Sequence, residues 1–180
     1  MFSNIQKFDE RVSLFLFSNR LPLALHQTMR WYTRLGDGYV WALVLVYLFF
    51  SIPEISIWWI VKQSFLAGGI SLALYQLLKL TIRRPRPFAK LKQISAEVPP
   101  LDEFSFPSGH TMNNLAAGFT LLLLVPHVGW IVVLMPLTWG ALRVYFGVHW
   151  FSDIIAGVFL GFASFLIAHL VWLHFFSHAA

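Results

Sequence analysis

The chain has 180 residues, of which 58% are hydrophobic and 12% charged, against about 45–50% and about 25% in an average soluble domain. With a mean hydropathy of +0.68 and 18 Phe, this composition excludes a water-soluble domain, a disordered chain, a collagen and a coiled coil, and the lack of cysteine excludes disulfide frameworks, thiolate zinc sites, cysteine nucleophiles and iron–sulfur clusters. Lys plus Arg outnumber Asp plus Glu by 13 to 8, an excess that suits nucleic acid, anionic headgroups or a phosphorylated substrate, and position along the chain must choose among them.

Residues 1–37 scatter Phe8, Val12, Phe15, Leu16 and Leu23 among Lys7, Asp9, Glu10, Arg11, Arg20, Arg30 and Arg34. A signal peptide would place its charges before an unbroken apolar run, so this region reads as one or two amphipathic helices in the interface or as a poorly marked first span. Gly36-Asp37-Gly38 ends it as a turn. Strongly apolar, helix-like segments follow at Tyr39–Ile52, Ile57–Leu80, Met112–Val125, Gly129–Leu142 and Ile154–Phe175. Breaks at Pro53-Glu54 and Pro126-His127 pair consecutive segments into hairpins. The one long polar insertion is 83–107, too long for a mere turn. The expectation is an all-α, single-domain membrane bundle of five or six spans over residues 1–180.

Counting crossings places three polar clusters on one membrane face. The end of Ile57–Leu80 and the start of Met112–Val125 flank the insertion, and two further crossings return Arg143, His149 and Asp153 to the same side. The first cluster holds Lys79 and Arg86 with Pro85 and Pro87; two cations there can be aimed at one anion, or they can simply snorkel among headgroups. The second is Pro107-Ser108-Gly109-His110. Ser108 suits a helix N-cap, and the free N–H groups of the first turn suit an anion; an ordinary capped helix with an interfacial His is the plain alternative. In the third, His149 and Asp153 are four residues apart, about 5–6 Å at Cβ if the last helix starts near them. Such a carboxylate can hold one imidazole nitrogen protonated and leave the other as nucleophile or base, although the pair also fits a cap beside a surface His, or metal ligands. A metal is not expected, because carboxylates are scarce on this face and cations abound.

Together the clusters resemble the type 2 phosphatidic acid phosphatase family, which shares its site with vanadium haloperoxidases. The family pattern of Lys-x6-Arg-Pro, Pro-Ser-Gly-His and Ser-Arg-x5-His-x3-Asp is matched by Lys79, Arg86 and Pro87, by Pro107 to His110, and by Arg143, His149 and Asp153. Leu35-Gly36-Asp37-Gly38 is similar to a short Gly-Asp stretch ahead of the first motif in bacterial members, with no role readable from sequence. Leu142 departs from the pattern, standing where the family usually has Ser and removing a potential phosphate donor.

The resemblance implies that His149 attacks phosphorus and forms a phosphohistidine, that Asp153 fixes its tautomer, and that His110 protonates the leaving oxygen and later activates water. Lys79, Arg86, Arg143, the Ser108 hydroxyl and the Gly109 N–H would bind the non-bridging oxygens, such donors being worth about 3 kcal/mol each by analogy with oxyanion holes. No metal or cofactor is implied. His26, His127, His169, His174 and His178 read as interfacial or packing residues.

A non-enzymatic headgroup binder or transporter would explain the cations but not two histidines, one paired to a carboxylate. Nucleic-acid binding fails because the basic residues sit at helix ends instead of on one soluble face. The expected partners are the bilayer and a lipid phosphate or diphosphate. Undecaprenyl diphosphate is preferred over phosphatidic acid and phosphatidylglycerol phosphate, by analogy with short bacterial relatives and because Arg83 and Arg84 could hold a second phosphate, although the two arginines could equally well merely face headgroups. The family implies a bacterial inner membrane with the site on the periplasmic face, whereas the positive-inside rule taken literally would turn Arg83, Arg84, Lys90 and Lys92 inward.

Overall fold

A computed structural model of the protein describes residues 2–52 and 54–176. Pro53 of the expected Pro53-Glu54 break, and His178, lie outside the described residues. Within them the regular structure is helical: α1 (Phe2–Ser18), α2 (Leu23–Arg34), a 3-10 turn (Leu35–Asp37), α3 (Tyr39–Ser51), α4 (Glu54–Ile82), α5 (Pro87–Lys90), α6 (Gly109–Leu124), α7 (Pro126–Tyr145) and α8 (Phe151–Phe176). The apolar segments of the sequence are all helices, most of them extended into polar residues. That extension puts Arg143 in the last turn of α7 and Asp153 in the first turn of α8.

The bundle is built around α6, which packs against α4, α7 and α8 and buries Met112, Leu115, Ala116 and Leu121 along its length. Close approach is set by small residues. A Cβ on Gly161 of α8 would lie 2.7 Å from the Met112 carbonyl oxygen, so α8 can reach the α6 backbone only with glycine there. The outward faces carry Phe50, Phe65, Trp130, Phe159 and Leu170 exposed, a surface suited to lipid and not to water.

Among the described residues, Ile57–Lys90, Pro126–Tyr145 and Phe151–Phe176 are long and apolar enough to cross a membrane. A fourth crossing is available if α2 through α3 is one span bent by 64°. α6, with 16 residues, is ~24 Å long, short of the ~30 Å hydrocarbon core, and is largely wrapped by its neighbours. The protein is therefore a multi-pass, all-helical membrane protein.

The amphipathic N-terminal region folds as two helices. α1 turns Asp9 and Ser13, four residues apart, into the protein and leaves Phe8 and Phe15 exposed, the reverse of a helix on a soluble core. α2 leans on α7, with Tyr32 and Thr138 hydroxyls 2.7 Å apart. The 83–107 insertion is a folded cover, not an open loop. The Ser105 N–H donates to the Arg84 carbonyl (2.8 Å) and the Glu97 N–H to the Phe146 carbonyl (3.2 Å), while Val98 is buried with Tyr145, Phe146 and Val148.

Candidate active site

The ends of α4, α6, α7 and α8 that bear the three motifs meet at one end of the bundle. His149 is not on the α8 helix but in the turn before it, so the pair does not share a helical face as the spacing suggested. Asp153, at the third position of α8, instead reaches back to accept the Trp150 N–H (2.8 Å), one half of a capping box, and this brings its Oδ2 within 3.5 Å of His149 Nδ1. That separation is an ion-pair distance without hydrogen-bond alignment. On the other side of the ring, Arg86 lies 3.3 Å from Nε2. A guanidinium only donates, so Nε2 holds the lone pair and the proton is on Nδ1, facing Asp153. Burial pushes the His149 imidazolium down to about 4; Asp153 opposes the shift and the Arg86 charge adds to it.

His110 lies in the first turn of α6, beneath the 3-10 turn. Its Nε2 is 2.7 Å from Asp37 Oδ1, within ion-pair distance though not aligned as a hydrogen bond. A Cβ on Gly36 would stand 2.7 Å from His110 Cδ2 and 2.8 Å from the Trp139 ring. The Gly36-Asp37 stretch, without a role in the sequence, thus lets a carboxylate approach His110. Asn114 holds the two parts together by donating to the carbonyls of His110 (2.9 Å) and Gly36 (3.1 Å). Ser108 precedes α6 as its N-cap residue, but its side chain makes no cap bond; its Oγ accepts from the Thr111 hydroxyl (3.2 Å). The Ser108 N–H donates to the Asp153 carbonyl (3.2 Å), tying the second motif to the third.

The motif cations Lys79, Arg86 and Arg143 are each no more than 3% exposed. Arg143 reaches the Pro99 carbonyl at 3.4 Å, and its Nε has no hydrogen-bond partner among the described residues. Lys79 and Arg86 both converge on Asp102, which also accepts from the Tyr75 hydroxyl. Burial pushes the Asp102 carboxyl upward, but hydrogen bonds from Lys79 and Tyr75 and the charges of Lys79 and Arg86 outweigh it and hold the group below the usual carboxylate range.

Two expectations need correction. Arg84 is not available for a second phosphate: it donates to Asp153 Oδ1 (2.7 Å), Ser152 Oγ (2.7 Å) and Asp9 Oδ2 (2.7 Å). Asp9 in turn accepts the Ser152 N–H (2.9 Å). Arg83 is exposed and donates to the Leu80 carbonyl. Nor are carboxylates scarce at this end, because Asp9, Asp37 and Asp102 join Asp153, each set against a cation or histidine. Leu142 packs on the Val98, Tyr145, Phe146 and Val148 cluster. Of the other histidines, His26 contacts the Tyr145 hydroxyl (3.1 Å), and His127, His169 and His174 lie against Tyr47, Phe165 and Phe175.

Asp9 and Asp102 escaped the sequence reading. The only trace of Asp9 was a polar pair with Ser13 at helical spacing inside an apolar helix. Asp102 lies in irregular backbone with no periodicity to mark it.

Together the features define a membrane-embedded helical bundle with a cation-lined histidine site at one end. A profile of the PAP2 superfamily matches residues 61–176, and the chain belongs to that superfamily. It is 32% identical over 160 residues to an undecaprenyl-diphosphatase from Sulfolobus acidocaldarius, covering 87% of this chain and 75% of that one. Among solved structures it resembles a transmembrane PAP2-type phosphatidylglycerolphosphate phosphatase from Bacillus subtilis (TM-score 0.70, 25% identity, 97% of this chain and 89% of that one). It also resembles LpxE from Aquifex aeolicus (TM-score 0.71, 29% identity, 89% and 93%).

Proposed function

We propose that the protein is a lipid phosphatase working through a phosphohistidine on His149, with undecaprenyl diphosphate as its preferred substrate. The observation behind this reading is the placement of His149, with Arg86 3.3 Å from Nε2 and Asp153 3.5 Å from Nδ1, which assigns the lone pair to Nε2 and the proton to Nδ1 because a guanidinium only donates. Nε2 attacks phosphorus, the bond to the leaving oxygen breaks, and protonated His110 gives that oxygen its proton. Asp153 and Asp37 stabilise the two imidazolium charges involved. His110 then takes a proton from water, which attacks the phosphohistidine, breaks the P–N bond and restores Nε2. Lys79, Arg86, Arg143 and the Ser108–Gly109 turn bind the non-bridging oxygens in this scheme. The cations supply the neutralisation that a metal would otherwise provide, so metal independence is part of the proposal.

A lipid substrate is supported by a groove of about 410 Å³ between α3, α4 and α6, lined by Trp41, Val44, Leu48, Gly68, Leu72 and Asn113 among others. Leu72 and Asn113 lie one helical turn from Tyr75 and His110, so a hydrocarbon chain in the groove would deliver its head to the cations. The named activities of the relatives support a polyprenyl diphosphate first and phosphatidylglycerol phosphate second. The test compares kcat/KM for undecaprenyl diphosphate, phosphatidylglycerol phosphate and phosphatidic acid in excess EDTA. Activity on the diphosphate persists, is highest of the three, and is inhibited by vanadate. A preference for another lipid overturns the substrate, and loss on chelation with rescue by a divalent ion overturns the mechanism.

His149 also sets a pH dependence. A histidine at its ordinary 6.5 would be protonated below that value, whereas one held near 4 keeps its lone pair. Corrected for substrate ionisation, the acid limb of kcat/KM falls well below pH 6.5. The same shift lowers stability as pH falls from 6.5 toward 4, because the unfolded chain then takes a proton that the native one refuses. An acid limb at 6.5 or above contradicts the assignment.

The topology proposed is five crossings, by the bent α2–α3 pair, by α4, by α6 as a short crossing enclosed by its neighbours, and by α7 and α8, in a bacterial inner membrane with the site on the periplasmic face. Since the chain lacks cysteine, Lys92→Cys in the cover and His127→Cys in the α6–α7 turn, both exposed, report the sides. Lys92→Cys labels from the periplasm and His127→Cys only from the cytoplasm; the reverse pattern inverts the orientation, and same-side labelling breaks the crossing count.

A further inference from the structure

The cations assigned to phosphate already hold an anion of the protein's own. Lys79 and Arg86 donate to the same carboxylate oxygen of Asp102, and the Tyr75 hydroxyl donates to the other. The backbone around it is gripped as well, with Arg86 Nε on the Asp102 carbonyl (3.0 Å) and Lys79 on the Phe104 carbonyl. The carboxylate thus bridges two of the three motif cations. A phosphoryl oxygen would seek these same donors.

We propose that Asp102 is a built-in competitor of the substrate: its carboxylate holds Lys79 and Arg86 between turnovers, and the lipid phosphate binds by taking both cations from it. The inference rests on the phosphatase reading above and adds a residue that none of the three motifs contains. Two anions cannot share one oxygen-sized position between two cations, and their mutual repulsion in a half-buried site makes retention of both unfavourable. The carboxylate has somewhere to go. The Asp102 side chain is 29% exposed, whereas those of Asp9 and Asp153 are 0% exposed, so a rotation into water displaces it without unfolding the cover. After hydrolysis the same carboxylate returns to the cations and helps inorganic phosphate to leave.

Asp102→Asn keeps the shape and one acceptor while removing the charge. If Asp102 competes, the full-length variant binds inorganic phosphate at least tenfold more tightly, in calorimetric titration and as the Ki against lipid diphosphate hydrolysis, and KM falls in the same direction. If Asp102 only neutralises or positions Lys79 and Arg86, phosphate binding is unchanged or weaker, and the proposal is overturned. Should Asp102→Asn not be recovered folded, Tyr75→Phe decides: it removes one group holding the carboxylate, so phosphate binds severalfold tighter, and an unchanged or raised Ki overturns the proposal. If the wild type hydrolyses lipid phosphates but Asp102→Asn binds phosphate no better, the competitor fails alone. If the wild type neither hydrolyses them nor binds phosphate, the phosphatase reading fails and takes the competitor with it.

Discussion

His149→Ala lowers kcat/KM by about four orders of magnitude or more, the scale seen when a nucleophile that acts as a unit with its partners is removed. The loss follows from Nε2 being the atom that forms the bond to phosphorus, a step no neighbour can assume. Asp153→Asn leaves a small residue of activity, because an amide at that position no longer enforces a proton on Nδ1 and part of the population offers the wrong tautomer. His110→Ala recovers most with substrates whose leaving group needs no proton. These variants are measured on purified protein with one lipid diphosphate and one activated phosphate ester. More than a few per cent of wild-type activity in His149→Ala removes it as the nucleophile.

Arg84→Ala has the largest expected effect on stability. The side chains of Asp9 and Asp153 are 0% exposed, and Arg84 is the cation that pairs with both. Its loss leaves two buried carboxylates facing one another across Ser152, and breaking a buried pair in this way costs about 3–5 kcal/mol. Asp9→Asn added to Arg84→Ala removes one of those charges and recovers part of the loss, a coupling measured as a double-mutant cycle of thermal melts in one detergent. Because Arg84 touches Asp153 and not a second phosphate, its removal depresses activity on diphosphates and monophosphates alike. A melting temperature within a degree or two of wild type, or a defect confined to diphosphates, would disprove this assignment.

The helices were legible because their cause is local. Runs such as Tyr39–Ile52 and Ile154–Phe175 are apolar on every side, and in lipid the backbone of such a run has to satisfy its own hydrogen bonds. Boundaries were less legible: α7 runs on through Arg143 and α8 opens ahead of Asp153, since the carbonyls at a helix C-terminus favour a cation and the N–H groups at an N-terminus an anion, so a polar residue need not mark a helix end. His149 illustrates the limit of spacing arguments. Four residues predicted a shared helical face, and the structure achieves the same juxtaposition through a turn and a back-reaching cap.

By itself the sequence determined the solvent, the helical class and the family that its three motifs match, since hydropathy and motif spacing are written along a single chain. Only the tertiary structure decided which carboxylate answers which cation. Asp9 meets Arg84 across 75 positions and Asp102 meets Lys79 across 23, and no periodicity records either pairing. The physical reason is that a buried charge costs too much to leave alone but is indifferent to how far along the chain its partner lies. The bundle selects the partners when it brings the ends of α4, α6, α7 and α8 together and lays α1 and the 83–107 cover across them.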